Sequence, residues 1–291
     1  MEITATKPIP AKRKTYWLDV FEIFLKDRSA WVSGLIVISI FLSALLAPWI
    51  CAYDPYQGSM SARLLEIGAP GHLLGTDELG RDMLTRLIYG GRMTLLIGFT
   101  PILLAFVIGT AIGLVSGFIG GKLNTFVMRT LDIFYAFPSV LLAVAISGAM
   151  GPGVMNSIIA LTVVFTPQIV RVAESAATQI RNMEYIDAAR MSGASSLTII
   201  RVHILSNVVG PIFVYATSLI SVCMILASGL SFLGLGVKPP EPEWGLMLNT
   251  LRPSIYTKPL LAALPGIWLF ITSIAFNLLS DAFRQAMSRK S

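Results

Sequence analysis

Two histidines, His72 and His203, and two cysteines, Cys51 and Cys223, are the residues around which hydrolytic or metal chemistry could be built. A histidine-based triad needs its base beside a nucleophile and an orienting acid. Here the histidines are far apart, and the topology argued below puts them on opposite sides of a membrane. No Gly-x-Ser-x-Gly elbow occurs, and a zinc site needs more His or Cys than the chain supplies. The cysteines show neither metal spacing nor a disulfide framework and read as small apolar fillers. Gly121-Lys122 is the nearest approach to a phosphate loop, but Ser116 stands where the first glycine belongs and no Ser or Thr follows the lysine. The sequence therefore predicts no ATP binding, no catalytic residue, no cofactor and no metal in this chain.

One polar segment offers a different kind of chemistry, a contact surface. It spans 179–207 and includes Arg181, Glu184, Asp187-Ala-Ala-Arg190, Gly193, Ser195-Ser196 and Leu197 to Leu205. Met183, Ile186 and Ala189 fall on one face of a short helix. Gly193 ends it, and Ser195 or Ser196 can cap the next. The expectation is two short helices meeting at a glycine, with Ala188 and Ala189 leaving a shallow surface for a partner.

The elements that must position this segment are apolar. Of 291 residues, 55% are hydrophobic and 13% charged, with a net charge of +6. Soluble domains carry about 25% charged residues, so lipid is the implied solvent. The Lys and Arg residues sit in short stretches between apolar runs rather than clustered on a polar face, which argues against nucleic acid. Six runs are long enough to span: 31–50, 95–118, 131–150, 157–172, 208–237 and 260–279. With the N-terminus inside, the inner segments hold fifteen Lys and Arg against seven outside. That bias predicts both termini in the cytoplasm. Residues 1–30 then form a basic cytoplasmic N-terminus, 31–50 an uncleaved first helix and 51–92 an outer polar segment. The remaining five spans occupy 93–281, interrupted by the cytoplasmic loop 179–207, and 282–291 is a cytoplasmic tail.

Within that frame, Gly109, Gly113 and Gly117 share one helix face and read as a close helix contact. Met83, Leu84, Leu87 and Ile88 make an apolar stripe beside Arg81, Arg86 and Arg92. The stripe is expected to lie along the outer membrane surface or against a partner. The middles of the spans lack the ionisable residues that ion-coupled transporters place there.

The polar segment resembles the EAA loop of binding-protein-dependent ABC importer permeases, whose pattern is E-A-A, three residues, G, nine residues, I-x-L-P. Asp187-Ala188-Ala189 takes the place of E-A-A, Gly193 and Leu205 match, and His203 and Ser206 replace Ile and Pro. Asp for Glu shortens the reach, and the loss of Pro lengthens the following helix. Further stretches are similar to the dipeptide/oligopeptide/nickel permeases, specifically their second, C-type subunit. These are His72-Leu-Leu-Gly-Thr-Asp-Glu-Leu-Gly-Arg-Asp82, Gly90-Gly-Arg92, Gly117-Phe-Ile-Gly-Gly121, Met128-Arg-Thr-Leu-Asp132, Phe137-Pro138, Ser231-Phe-Leu-Gly-Leu-Gly236, Pro239-Pro240, Trp244-Gly245 and Phe276-Asn-Leu-Leu279. Asn124 replaces the family's usual aspartate.

The resemblance covers residues 30–285 and implies an all-α, six-helix, type-1 ABC importer permease of the bacterial inner membrane. It implies a heterodimer with a second permease, two cytoplasmic ABC ATPases and a periplasmic or lipid-anchored substrate-binding protein. It further implies that Glu184, Asp187, Ala188, Ala189, Gly193 and Leu205 couple the chain to an ATPase. The implied cargo is a di- or oligopeptide, or alternatively a nickel complex, glutathione or another small solute. A secondary transporter is the distant alternative.

Overall fold

A computed structural model of the chain describes residues 23–288. The basic residues Lys7, Lys12, Arg13, Lys14, Arg289 and Lys290 lie outside the described residues. Secondary structure among the described residues is helical apart from two isolated β-bridges in the segment before Met83. The main helices are α1 (Arg28–Ile50), α2 (Met83–Ile119), α3 (Gly121–Tyr135), α4 (Ser139–Met150), α5 (Val154–Ile180), α6 (Glu184–Met191), α7 (Ser196–Phe232), α8 (Trp244–Leu251) and α9 (Pro259–Ser288). Helices α1, α2, α5, α7 and α9 are each long and apolar enough to cross a membrane; α3 and α4 make a sixth span if counted together.

That third apolar run is broken. Helices α3 and α4 meet at 88° around Ala136-Phe137-Pro138, where the proline disfavours helical backbone at Phe137. The sequence places this span at 131–150; the structure gives its straight part only to Ser139–Met150.

Helix α2 begins at Met83, capped by Asp82, whose carboxylate accepts from Thr85 N at 2.8 Å. Its 37 residues would extend about 55 Å at 1.5 Å per residue, against a hydrocarbon core of about 30 Å. Its first turns therefore belong to the polar stretch that the sequence reading runs to Arg92. Half of the apolar stripe there turns into this subunit, while Leu84 and Ile88 stay partly exposed. Met83 and Leu87 are fully buried, and the Leu87 carbonyl accepts the indole N–H of Trp244 at 2.9 Å. The stripe forms the floor on which α8 sits.

The glycine face of α2 packs on α5. A Cβ at Gly113 would lie 2.6 Å from both Ala173 Cβ and the Val170 carbonyl oxygen; at Gly117 it would lie 2.7 Å from the Glu174 carbonyl oxygen. Backbone meets backbone along this seam, the geometry that small residues permit between membrane helices.

Before α2 the chain ties itself into a compact knot. Asp77 Oδ1 accepts from the amides of Leu79 and Arg81 at 2.9 Å each, and Oδ2 from Arg81 Nε at 2.7 Å. Arg86 Nε stands 3.1 Å from Asp77 Oδ2, without hydrogen-bond geometry, while its Nη1 donates to the Pro55 carbonyl at 2.7 Å. His72 Nδ1 lies 2.9 Å from Asp82 Oδ1. Gly80 has φ +73°, and a Cβ there would fall 1.9 Å from the Ser59 carbonyl oxygen. The run from His72 to Asp82 is thus explained by folding of the knot itself.

Candidate coupling surface

Helix α6 carries the sequence-selected residues. Glu184 and Asp187 occupy its first turn and Arg190 its last, the polarity that favours each charge along the helix dipole. Ile186 is fully buried and fixes the helix to the bundle. Gly193 ends it with φ +80°. The Gly193 amide donates to the Arg190 carbonyl at 3.0 Å and the Ala194 amide to the Ala189 carbonyl at 3.1 Å. This pair of bonds is the Schellman arrangement, in which a left-handed residue satisfies the last carbonyls of a helix.

The next helix differs from the expectation. Ser195 caps it, its hydroxyl accepting from Thr198 N at 3.2 Å. There is no second short helix, because the chain runs from Ser196 through a π-helical stretch, Ile199–Ile204, into one helix ending at Phe232. The continuity fits the absence of proline at Ser206.

The structure brings Glu184, Asp187, Ala188 and Gly193 onto one projecting loop with exposed Ala188 and Gly193. Nothing lies within 4 Å of a Cβ built on Gly193. Ala189 turns inward and packs against the core, as does Leu205 beyond the π-helical stretch. Asp187 and Arg190 pair at 2.9 Å with both side chains about half exposed, and the guanidinium stands 5.4 Å over the Phe118 ring. Being solvent-screened, that pair contributes about 0–1 kcal/mol.

Sequence reasoning missed the apolar part of the surface. Met191 is 90% exposed and Leu197 68% exposed, flanking Gly193, with Tyr185 also exposed. The loop is therefore not built of small residues alone. The missed signal was position: Met191 ends α6 and Leu197 starts α7, outside the face carried by Ile186.

At the opposite end of the bundle, the segment around Trp244-Gly245 folds inward. Glu243 is 1% exposed and caps α8, accepting the amides of Gly245 and Leu246 at 2.8 Å each and the hydroxyls of Thr94 and Ser228 at 3.3 Å each. Burial pushes its carboxyl up, opposed by those amides and by the Ser231 and Ser228 hydroxyls. Replacing Glu243 with Ala removes a cap worth about 0.5–2 kcal/mol and leaves buried donors unpaired. The expected result is a clearly lower unfolding temperature for Glu243→Ala in detergent, with a smaller drop for Glu243→Gln, which keeps one acceptor oxygen.

Comparisons with known proteins agree with this architecture. Residues 109–291 match the family described as binding-protein-dependent transport system inner membrane component. Residues 15–66 match the N-terminal TM domain of oligopeptide transport permease C. The di/tripeptide transport system permease protein DppC of Pseudomonas aeruginosa is 39% identical over 286 residues, covering 97% of this chain and 93% of that protein. The glutathione transport system permease protein GsiD of Pectobacterium atrosepticum is 36% identical over 288 residues, covering 98% and 96%. Among solved structures, an inward-facing conformation of the MetNI methionine ABC transporter superposes with a TM-score of 0.57 at 22% identity, covering 70% of this chain and 97% of that one. That likeness supports the type-1 importer permease fold.

Proposed function

Because this chain belongs to the family of binding-protein-dependent transport system inner membrane components and is the permease subunit of an ABC importer, we propose that it moves di- or oligopeptides into the cytoplasm as half of a permease heterodimer. Two separate ABC ATPases hydrolyse ATP on the cytoplasmic side, and a periplasmic or lipid-anchored binding protein delivers the cargo. The relatives' names support peptides first and glutathione second.

The observation that carries the coupling assignment is the loop around Gly193. It is a rigidly seated helix with an open glycine corner and exposed Met191 and Leu197. Such a projection fits into a cleft of the ATPase and transmits to the spans any difference in ATPase binding between two states. Its route to the bundle is Ile186 on α6 and Ile199 and Ile204 at the start of α7, all at most 1% exposed. Glu184, Asp187, Ala188 and Gly193 supply contacts; Ala189 and Leu205 hold the seat.

Both termini and this loop are assigned to the cytoplasm on the Lys and Arg bias, so the knot before Met83 faces outward. A single cysteine at Ser59 is expected to react with an impermeant thiol reagent in intact spheroplasts, in a background lacking Cys51 and Cys223. One at Met191 is expected to cross-link to the ATPase in inverted vesicles. Labelling of the Ser59 position only after permeabilisation reverses the orientation. Absence of any ATPase adduct from the Met191 position removes the coupling role.

A further inference from the structure

One cluster of charge within the spans is not used by the coupling loop. Arg171 Nη2 donates to Asp132 Oδ1 at 2.7 Å, joining α5 to α3, and both side chains are about half exposed. Arg129 stands 3.8 Å from the other Asp132 oxygen. The Tyr135 ring lies 4.7 Å from the Arg171 guanidinium carbon. Behind it, Tyr215 of α7 donates to Gln168 at 3.3 Å.

These residues share a face. Gln168, Arg171, Ser175 and Gln179 recur at helical spacing along α5, and Asn207, Pro211 and Tyr215 along α7. A cavity of about 620 Å³ opens between the two stripes, lined by Arg171, Ser175, Gln179 and Asn207 among apolar neighbours. Arg171 is the only charged residue of that lining, and its Nε and Nη1 have no hydrogen-bond partner among the described residues. Arg171 stands 17 residues beyond Val154, about 25 Å along α5, towards the end that carries α6. Charged groups within spans face a bundle interior or a water-filled cavity rather than lipid. An exposed ion pair on a polar stripe therefore marks the wet side of this subunit.

We propose that this cleft is a station on the transport pathway at which the carboxylate of a small zwitterionic cargo is held by Arg171. The cargo carboxylate replaces Asp132 as the partner of Arg171, and Asp132, with Arg129 still beside it, is released towards the cargo ammonium. The amide and hydroxyl groups of Gln179, Asn207 and Ser175 serve the peptide unit between. The inference rests on the peptide reading above, and its chemistry covers any small cargo that carries both charges. A planar guanidinium suits this role because it binds a carboxylate through two parallel N–H donors.

The test uses the assembled importer in proteoliposomes with its binding protein and a radiolabelled dipeptide, scoring peptide taken up per ATP hydrolysed. Correct assembly of each variant is checked by size-exclusion chromatography. Arg171→Gln is expected to lower that ratio at least tenfold, and Arg171→Lys to lose less. The reversed pair, Asp132→Arg with Arg171→Asp, restores the ion pair but moves the cation off the cleft, so uptake is expected to stay lost. Restoration of uptake by the reversed pair overturns the proposal, because the pair is then a structural tie. Equal falls in uptake and ATP hydrolysis for Arg171→Gln overturn it too. Failure of the peptide reading shows differently, as absence of dipeptide uptake by the unmutated importer.

Discussion

Gly193→Asp and Ala188→Arg are expected to leave the chain folded and membrane-inserted yet lower recovery of the ATPase in pull-downs by more than thirtyfold, with transport abolished. Open space surrounds Gly193 and Ala188 is exposed, so neither new side chain meets anything within this subunit. The left-handed backbone at Gly193, φ +80°, imposes a strain of about 1–2 kcal/mol on an ordinary residue. Asp tolerates that conformation better than most, and Gly193→Ala isolates the strain alone. A misplaced charge at the centre of a closely packed interface costs about 2 kcal/mol or more, roughly thirtyfold in affinity. Ala189→Arg is a poorer probe than Ala188→Arg, because Ala189 packs on the core and its replacement disturbs the loop itself. Asp187→Ala is expected to be milder. It loses a screened pair with Arg190 and, at most, one charge-assisted contact of about 1.5–3 kcal/mol. Normal ATPase recovery and transport with both Gly193→Asp and Ala188→Arg would remove the loop from the coupling path.

The second large effect concerns the α2–α5 seam. Gly113→Leu is expected to abolish accumulation of monodisperse protein, measured by fluorescence size-exclusion chromatography after detergent extraction. Even the first carbon of a new side chain would lie 2.6 Å from the Val170 carbonyl oxygen and 2.6 Å from Ala173 Cβ. Overpacking in ordinary cores costs about 1–3 kcal/mol because side chains can shift. Here the obstacle is partly backbone, so the whole of α5 must move. Gly229→Ala is the matched control, since nothing lies within 4 Å of a Cβ at that helical position. Recovery of Gly113→Leu at the level of Gly229→Ala would show that the seam opens freely and that the glycines serve movement rather than packing.

Much of this architecture was legible in the sequence because lipid imposes long apolar runs, and the fold follows from their number and order. The loop was legible for a local reason: a helical face, two acids at its start and a glycine at its end specify α6 and its Schellman turn without tertiary help. Other features were not legible, the first two because they are decided by residues far apart. The stripe at Met83 and Leu87 has the correct period for a buried face, but its partner, Trp244, is 157 residues beyond Leu87. Glu243 carries no motif that marks it as buried, and only folding of α8 onto Thr94 and Ser228 makes it an interior cap. The third span bends by 88° because Asp132 and Arg129 keep α3 polar while Pro138 interrupts the helix, and hydropathy averaged over the run hides that corner. The exposure of Met191 and Leu197 was hidden too, since exposure of an apolar residue beside a turn depends on where the turn points.

The most direct test of the account places the permease pair, the ATPases and the solute-loaded binding protein in liposomes, with and without this chain, and measures ATP hydrolysis and solute accumulation together. The account predicts that the loaded binding protein stimulates hydrolysis only when this chain is present, and that accumulation stops when the ATPases are inactivated. Equal stimulation without the chain, or accumulation sustained by an ion gradient after the ATPases are inactivated, would contradict it.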